Sequence, residues 1–147
     1  MILQIGMAAA GTIAFSLLFG VQKQYYLYCG LIGGAGWGVY LALTEYIGCG
    51  KTTSIFFATV LIMLLSRFFA VYKQCPATVF IPGILPLIPG TSIYQTVYYL
   101  VNNQLQESLV QGLAAIKMVG AIILAIALVF ELPSGMFRFF HIKRNNY

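Results

Sequence analysis

The chain has 147 residues, of which 61% are hydrophobic and only 7% charged, with a formal net charge of +5 at pH 7. A mean hydropathy of +0.90 lies far outside the composition of soluble domains and predicts an all-α integral membrane protein. No polar stretch is long enough to form a separate soluble domain beside several spans, so residues 1–147 are read as one transmembrane domain.

The first apolar run, 2–21, lacks the positively charged leading region of a secretory signal and is long enough to span, so it is read as a retained helix. Four further runs follow at 26–46, 53–72, 77–101 and 109–132, joined by short polar connections that predict antiparallel neighbours. Within the second run, Gly30, Gly34 and Gly38 recur every fourth residue and so share one helix face, broadened by Gly33 and Gly36. Small residues at that spacing let two backbones approach closely in lipid. This face is expected to pack against a neighbouring helix, and a bulky residue at Gly34 is expected to disrupt folding or assembly.

The third run ends near Arg67, whose guanidinium either snorkels to the interface or holds a carboxylate bidentately. The fourth contains "PGILPLIPG", residues 82–90, with three prolines and two glycines in nine positions. Pro82, Pro86 and Pro89 each lack an N–H and clash with the preceding turn, while Gly83 and Gly90 add freedom, so a continuous helix there is costly. A break at membrane depth is tolerated only beside protein or a water-filled cavity, and broken helices are how many transporters build substrate sites. After the break, Thr91 or Ser92 can cap a new helix whose amides and positive dipole end attract an anionic group such as a carboxylate. The competing readings are a simple proline kink and a re-entrant hairpin. Further along, Gln95 and Asn102 lie seven apart on one face and are candidates for a polar path; capping is the alternative for Asn102.

Lys117 falls about two turns into the fifth run, where it either snorkels or neutralises a substrate or a carboxylate of another chain. Glu45 and Glu131 lie at span ends and are read as interfacial. The tail at 133–147 is basic, and its His141 is assigned to contact with anionic lipid. Placing the C-terminus in the cytoplasm puts Lys23, Arg67, Lys73, Arg138, Lys143 and Arg144 on the positive-inside face and leaves Lys51 outside with Glu107 and the N-terminus. Tyr25, Tyr26, Tyr28, Tyr46, Tyr98, Tyr99, Phe139 and Phe140 gather at span ends, where amphipathic rings anchor in the headgroup layer.

Enzymatic parts are missing. The sequence has no Asp, a single His and no Ser or Cys placed with a base, so triads, metal hydrolysis and paired-carboxylate chemistry cannot be assembled. Cys29, Cys49 and Cys75 are far apart and read as small packing residues, without a metal set. "GKTT" at 50–53 lacks the upstream glycine of a P-loop. Neither cofactor nor nucleic-acid partner is expected.

At "IPGILPLIPGTSIYQTVYYLV", residues 81–101, the sequence resembles the C-terminal membrane half of the threonine/serine exporter family, and more specifically the small subunit of its split, two-component form. The proline-rich segment is the most specific part of the likeness; the rest matches mainly in hydropathy and span number. That resemblance implies secondary export from the cell, across the inner membrane, of threonine, serine or a dicarboxylate such as succinate. It also implies a larger membrane partner subunit carrying the missing half. On this reading the substrate carboxylate meets Pro82, Gly83, Pro86, Pro89, Gly90, Thr91, Ser92 and Gln95, with Arg67 or Lys117 adding charge. Two alternatives stand beside it: a channel-like pore assembled from several copies, and a non-transporting assembly subunit.

Overall fold

The computed structural model describes residues 2–73 and 75–132; the basic tail, with His141, Phe139 and Phe140, lies outside them. The described residues are all-α, with no strand among them. Five α-helices follow in order: α1 (Ile2–Leu18), α2 (Tyr26–Leu41), α3 (Lys51–Lys73), α4 (Gly90–Val101) and α5 (Leu105–Glu131). A 3₁₀ turn, Lys23–Tyr25, leads into α2, a π turn, Ala42–Tyr46, extends it, and a 3₁₀ helix, Ala77–Leu87, separates α3 from α4.

Local chemistry sets the helix ends. Gly20 takes φ +67° after α1, and its amide bonds to Leu17 O while Val21 N bonds to Ser16 O, the paired closure that a left-handed residue makes possible. Asn103, at φ 57°, ends α4 the same way through Asn103 N to Leu100 O and Gln104 N to Tyr99 O. Asparagine tolerates that conformation better than other non-glycine residues. Three helical stretches are long and apolar enough to cross a membrane: Lys23–Tyr46, Lys51–Lys73 and Leu105–Glu131. At 17 residues, α1 is about 26 Å long, a little short of a hydrocarbon core of about 30 Å. The crossing expected at 77–101 is divided in two.

Packing follows the glycines. A Cβ on Gly30 would stand 2.8 Å from Ile13 Cδ1, on Gly34 3.3 Å from Ala9 Cβ and on Gly38 3.5 Å from Ile5 Cδ1, so this face of α2 lies against α1. Gly33 is tighter still, since its Cβ would sit 2.9 Å from Thr12 Cβ and closer to the Thr12 hydroxyl. Gly36 faces the other way, with Ile62 Cγ1 of α3 2.5 Å from its Cβ position. At Gly30, Gly33 and Gly36, helix α2 thus lies too close to α1 and α3 to admit a Cβ unless a neighbouring side chain shifts. Buried hydroxyls in these helices are satisfied one turn back: Thr12 donates to Ala8 O, Ser16 to Thr12 O, Thr59 to Ile55 O and Ser66 to Ile62 O, each at 2.7–2.8 Å.

The 3₁₀ helix sits in the middle of this layer, packed on α1, α2 and α3. Its Phe80 is fully buried and meets Tyr25 edge-on at 6.1 Å and Phe69 at 6.2 Å. By contrast α4 packs on α5, and α5 in turn on α3. Arg67, late in α3, reaches the last turn of α5, so α3 and α5 run parallel. The chain therefore runs back and forth, with α2, the 3₁₀ helix and α4 opposite in direction to α1, α3 and α5. Lys23, Arg67, Glu131 and Lys73 lie at one end, the last with its ammonium 4.8 Å from the Tyr28 ring centre, while Glu45, Lys51 and Glu107 lie at the other.

Candidate functional site

Runs of 3₁₀ helix longer than three or four residues are uncommon, and this one has eleven, with Pro82 and Pro86 inside it. Each proline removes the donor for the carbonyl three residues earlier. For Pro82 that carbonyl is Val79 O, and the thiol of Cys29 on α2 supplies the missing donor at 3.5 Å. Sequence reading assigned Cys29 only to packing; its partner was invisible because the two residues are fifty positions apart. For Pro86 the orphaned carbonyl belongs to Gly83. This glycine is buried, and a Cβ there would lie 3.1 Å from Ile32 Cγ2 and 3.6 Å from the Gly33 nitrogen.

The pairings Cys29 with Val79 and Gly33 with Gly83 show that α2 and the 3₁₀ helix run in the same direction. Four residues beyond Gly33 is a rise of about 6 Å in α2, matched by three residues of 3₁₀ helix. Trp37 therefore lies at the level of Pro86. Its indole Nε1 is a buried donor with no acceptor among the described residues, which costs free energy unless water or a ligand accepts the bond. Trp37 was not among the sequence-derived candidates. An aromatic in an apolar span carries no signal for such a role until its surroundings are known.

Beyond the break the chain turns at Pro89, which is buried, and α4 begins at Gly90. Thr91 and Ser92 do not cap it: Pro89 occupies the N-cap position, with no side-chain cap bond, and the two hydroxyl residues fall inside the first turn. The reason is that Pro89 O already accepts from Ile93 N at 3.1 Å, closing the first turn one residue before Gly90. Gly90 N folds back onto Ile88 O at 2.7 Å, so the amides of Thr91 and Ser92 are the ones that helix geometry leaves without an intrahelical acceptor. Thr91 is exposed and Ser92 half-buried. Helix α4 folds back on α5 through Ser108 Oγ donating to Thr96 O at 2.8 Å and through Thr96 packing on Gly112. Extending that antiparallel register puts residues 90–92 beside about residues 113–117 of α5, near the middle of a helix of 27 residues.

The remaining candidates divide. Gln95 on α4 and Asn102 at its C-terminal cap are exposed, in a stripe with Thr91 and Tyr98, and the Asn102 amide donates to Tyr98 O at 2.9 Å. Arg67 is committed elsewhere: its Nη1 donates to Val129 O and, at 2.8 Å, to Leu132 O. Those carbonyls end α5, where a cation also complements the helix dipole. They lie about 20 Å along α5 from the first turn of α4, so within one chain Arg67 and residues 90–92 are not brought together. Lys117 is near that turn in depth but on another face of α5, since it is rotated about 140–180° from Gly112 and Ser108, which face α4. Replacing Arg67 by Met is expected to lower the thermal midpoint of the purified chain through loss of two charge-assisted bonds, at roughly 2–3 kcal/mol; Arg67→Lys is expected to recover only part. An unchanged midpoint in Arg67→Met would show that the contact contributes nothing.

An open cleft of about 630 Å³ leads to the break from the end that carries Lys23 and Lys73. It is bounded by Val21, Gln22 and Tyr25 before α2, by Cys75 and Pro76 after α3, and by Ile81 and Pro82 of the 3₁₀ helix. The cleft reaches the first proline of the break; beyond it lie the Gly83 carbonyl that Pro86 leaves without its 3₁₀ donor, the amides of Thr91 and Ser92 at the start of α4, and the Trp37 indole N–H at the level of Pro86. The family model described as threonine/serine exporter, ThrE, matches residues 4–131. No solved structure matches the chain.

Proposed function

Because the chain belongs to the threonine/serine exporter family ThrE, a family of membrane transporters, we propose that it is one subunit of a secondary active exporter of a small amino acid or carboxylate. The observation that carries this reading is the divided fourth crossing. Its first half packs on α1, α2 and α3 and its second on α5, with a helix start between them. Unpaired amides there suit a carboxylate. The Gly83 carbonyl, left without its 3₁₀ donor by Pro86, suits an ammonium group, so the break offers complements to both ends of a zwitterion such as threonine or serine.

Pro82, Gly83, Pro86, Pro89 and Gly90 shape the site on this reading, and Thr91, Ser92 and Gln95 supply side-chain contacts. Arg67 acts through the end of α5 and Lys117 through a neighbouring chain. Substrate enters by the cleft between the loops at 19–25 and 75–76, which lies on the cytoplasmic face if the basic end is inside. The larger partner subunit closes the open side of α4 and α5 and completes the path across the inner membrane.

The test is efflux of labelled threonine, serine and succinate from cells expressing this chain alone, the larger subunit alone, and both. Saturable, gradient-dependent export only with both is the expected result. Export by this chain alone would replace the two-subunit exporter with a self-assembled carrier or channel, and binding that resides wholly in the partner would leave this chain an assembly subunit.

A further inference from the structure

Helix α5 offers three faces. One, with Met118, Ile122, Ala125 and Val129, is buried toward α3, and a second, with Ser108 and Gly112, carries α4. The third is uncovered: Leu113, Lys117, Gly120, Leu124, Ala127 and Glu131 follow one another at alternating spacings of four and three, the repeat of a seam between two supercoiled helices. Leu113 is 57% and Leu124 61% exposed, and nothing lies within 4 Å of a Cβ built on Gly120.

Lipid covers the leucines of this seam without difficulty, but not the lysine. Lys117 is twelve residues from the start of α5, about 18 Å along the axis, which puts it roughly 13 Å below the surface of a 30 Å core when α5 is centred. A lysine stem of roughly 6 Å does not span that depth, and snorkelling serves residues near helix ends. No hydrogen bond or ion pair engages Lys117 among the described residues. A second copy of this chain does not supply one. Inserted the same way, it places its own Lys117 at the same depth, and all three of its carboxylates sit at helix ends: Glu107 and Glu131 about 15 and 21 Å away along α5, and Glu45 at the end that carries Glu107. The tail at 133–147 contains no acidic side chain.

We infer that the Leu113–Lys117–Gly120–Leu124–Ala127 seam docks a transmembrane helix of a different chain, which presents a carboxylate at the depth of Lys117. Gly120 and Ala127 allow the close approach by which helices associate in lipid, and the lysine makes the pairing heteromeric, because one buried charge at a seam position penalises self-association. The inference rests on the reading that this chain works with a larger subunit.

The experiment places a photo-crosslinking amino acid at Leu113 or Leu124, with Phe57 on the exposed side of α3 as control, in cells that co-express the larger subunit. Adduct with that subunit is expected to be about tenfold higher at the seam than at Phe57. Lys117→Glu is expected to cut it about tenfold, the scale of one intramembrane polar contact, and reversal of the partner's carboxylate to lysine is expected to restore it. Lys117→Met, which keeps the length without charge, separates misfolding from loss of pairing, since it leaves membrane abundance unchanged while weakening the adduct. Seam adducts only to lipid or to a second copy, or a partner adduct indifferent to Lys117→Glu, would overturn the inference. The readout is independent of transport: efflux with both subunits but no seam adduct sinks the docking alone, whereas a seam adduct without efflux sinks the exporter reading alone.

Discussion

Replacing Gly33 by leucine is expected to abolish accumulation of the chain in the membrane, whereas Gly38→Ala is expected to be tolerated. Both glycines face α1, yet the space beside them differs. At Gly33 even a methyl group would overlap Thr12, whose Cβ is 2.9 Å away and whose hydroxyl is closer still and already bonded to Ala8 O. Moving Thr12 breaks that bond and leaves a fully buried hydroxyl unpaired; leaving it in place forces α1 off α2. Overpacking of this kind costs about 1–3 kcal/mol and a buried unpaired hydroxyl about 1–3 more, against a total stability of about 5–15 kcal/mol. At Gly38 the nearest atom to a new Cβ is Ile5 Cδ1 at 3.5 Å, an ordinary contact. Membrane abundance by immunoblot, followed by thermal unfolding of the purified variants, checks the pair. Equal abundance of the two variants would mean that α1 and α2 do not meet as described.

Loss of both hydroxyls in the first turn of α4, by Thr91→Ala with Ser92→Ala, is expected to lower initial efflux rates by roughly ten- to a hundredfold, since each substrate hydrogen bond contributes about 0.5–1.5 kcal/mol. Abundance is expected to hold. Neither side chain caps the helix, Thr91 is exposed, and the bond that Thr96 makes to Ser92 goes to its main-chain carbonyl at 2.7 Å. A variant that falls in abundance and rate together would indicate a structural role. Unchanged efflux at unchanged abundance would remove residues 91 and 92 from the substrate site.

What the chain's letters revealed unaided was whatever depends on composition or on neighbours in sequence. The apolar runs announce a membrane protein because backbone groups in lipid have to be paired within a helix. Three prolines and two glycines within 82–90 announce a break because each acts on its own turn. Even there the form of the break was unreadable: it is a 3₁₀ helix of eleven residues, with the following helix starting at Gly90 and not after a Thr91 or Ser92 cap. That choice depends on support from elsewhere, such as the Cys29 thiol on Val79 O and the burial of Phe80.

Tertiary structure alone decided where the charges and the two halves of the fourth crossing went. Arg67 and the end of α5 are more than sixty residues apart, and helical spacing says nothing of which carbonyls a long side chain will reach. Lys117 has a position on α5 that the sequence determines, but the face it shares became meaningful only once α3 and α4 were seen to occupy the other two. The division of labour between a core-held 3₁₀ helix and an α4 carried by α5 has the same origin, because contacts between distant segments, made without a hydrophobic drive in lipid, depend on close fit rather than on the pattern of any one segment.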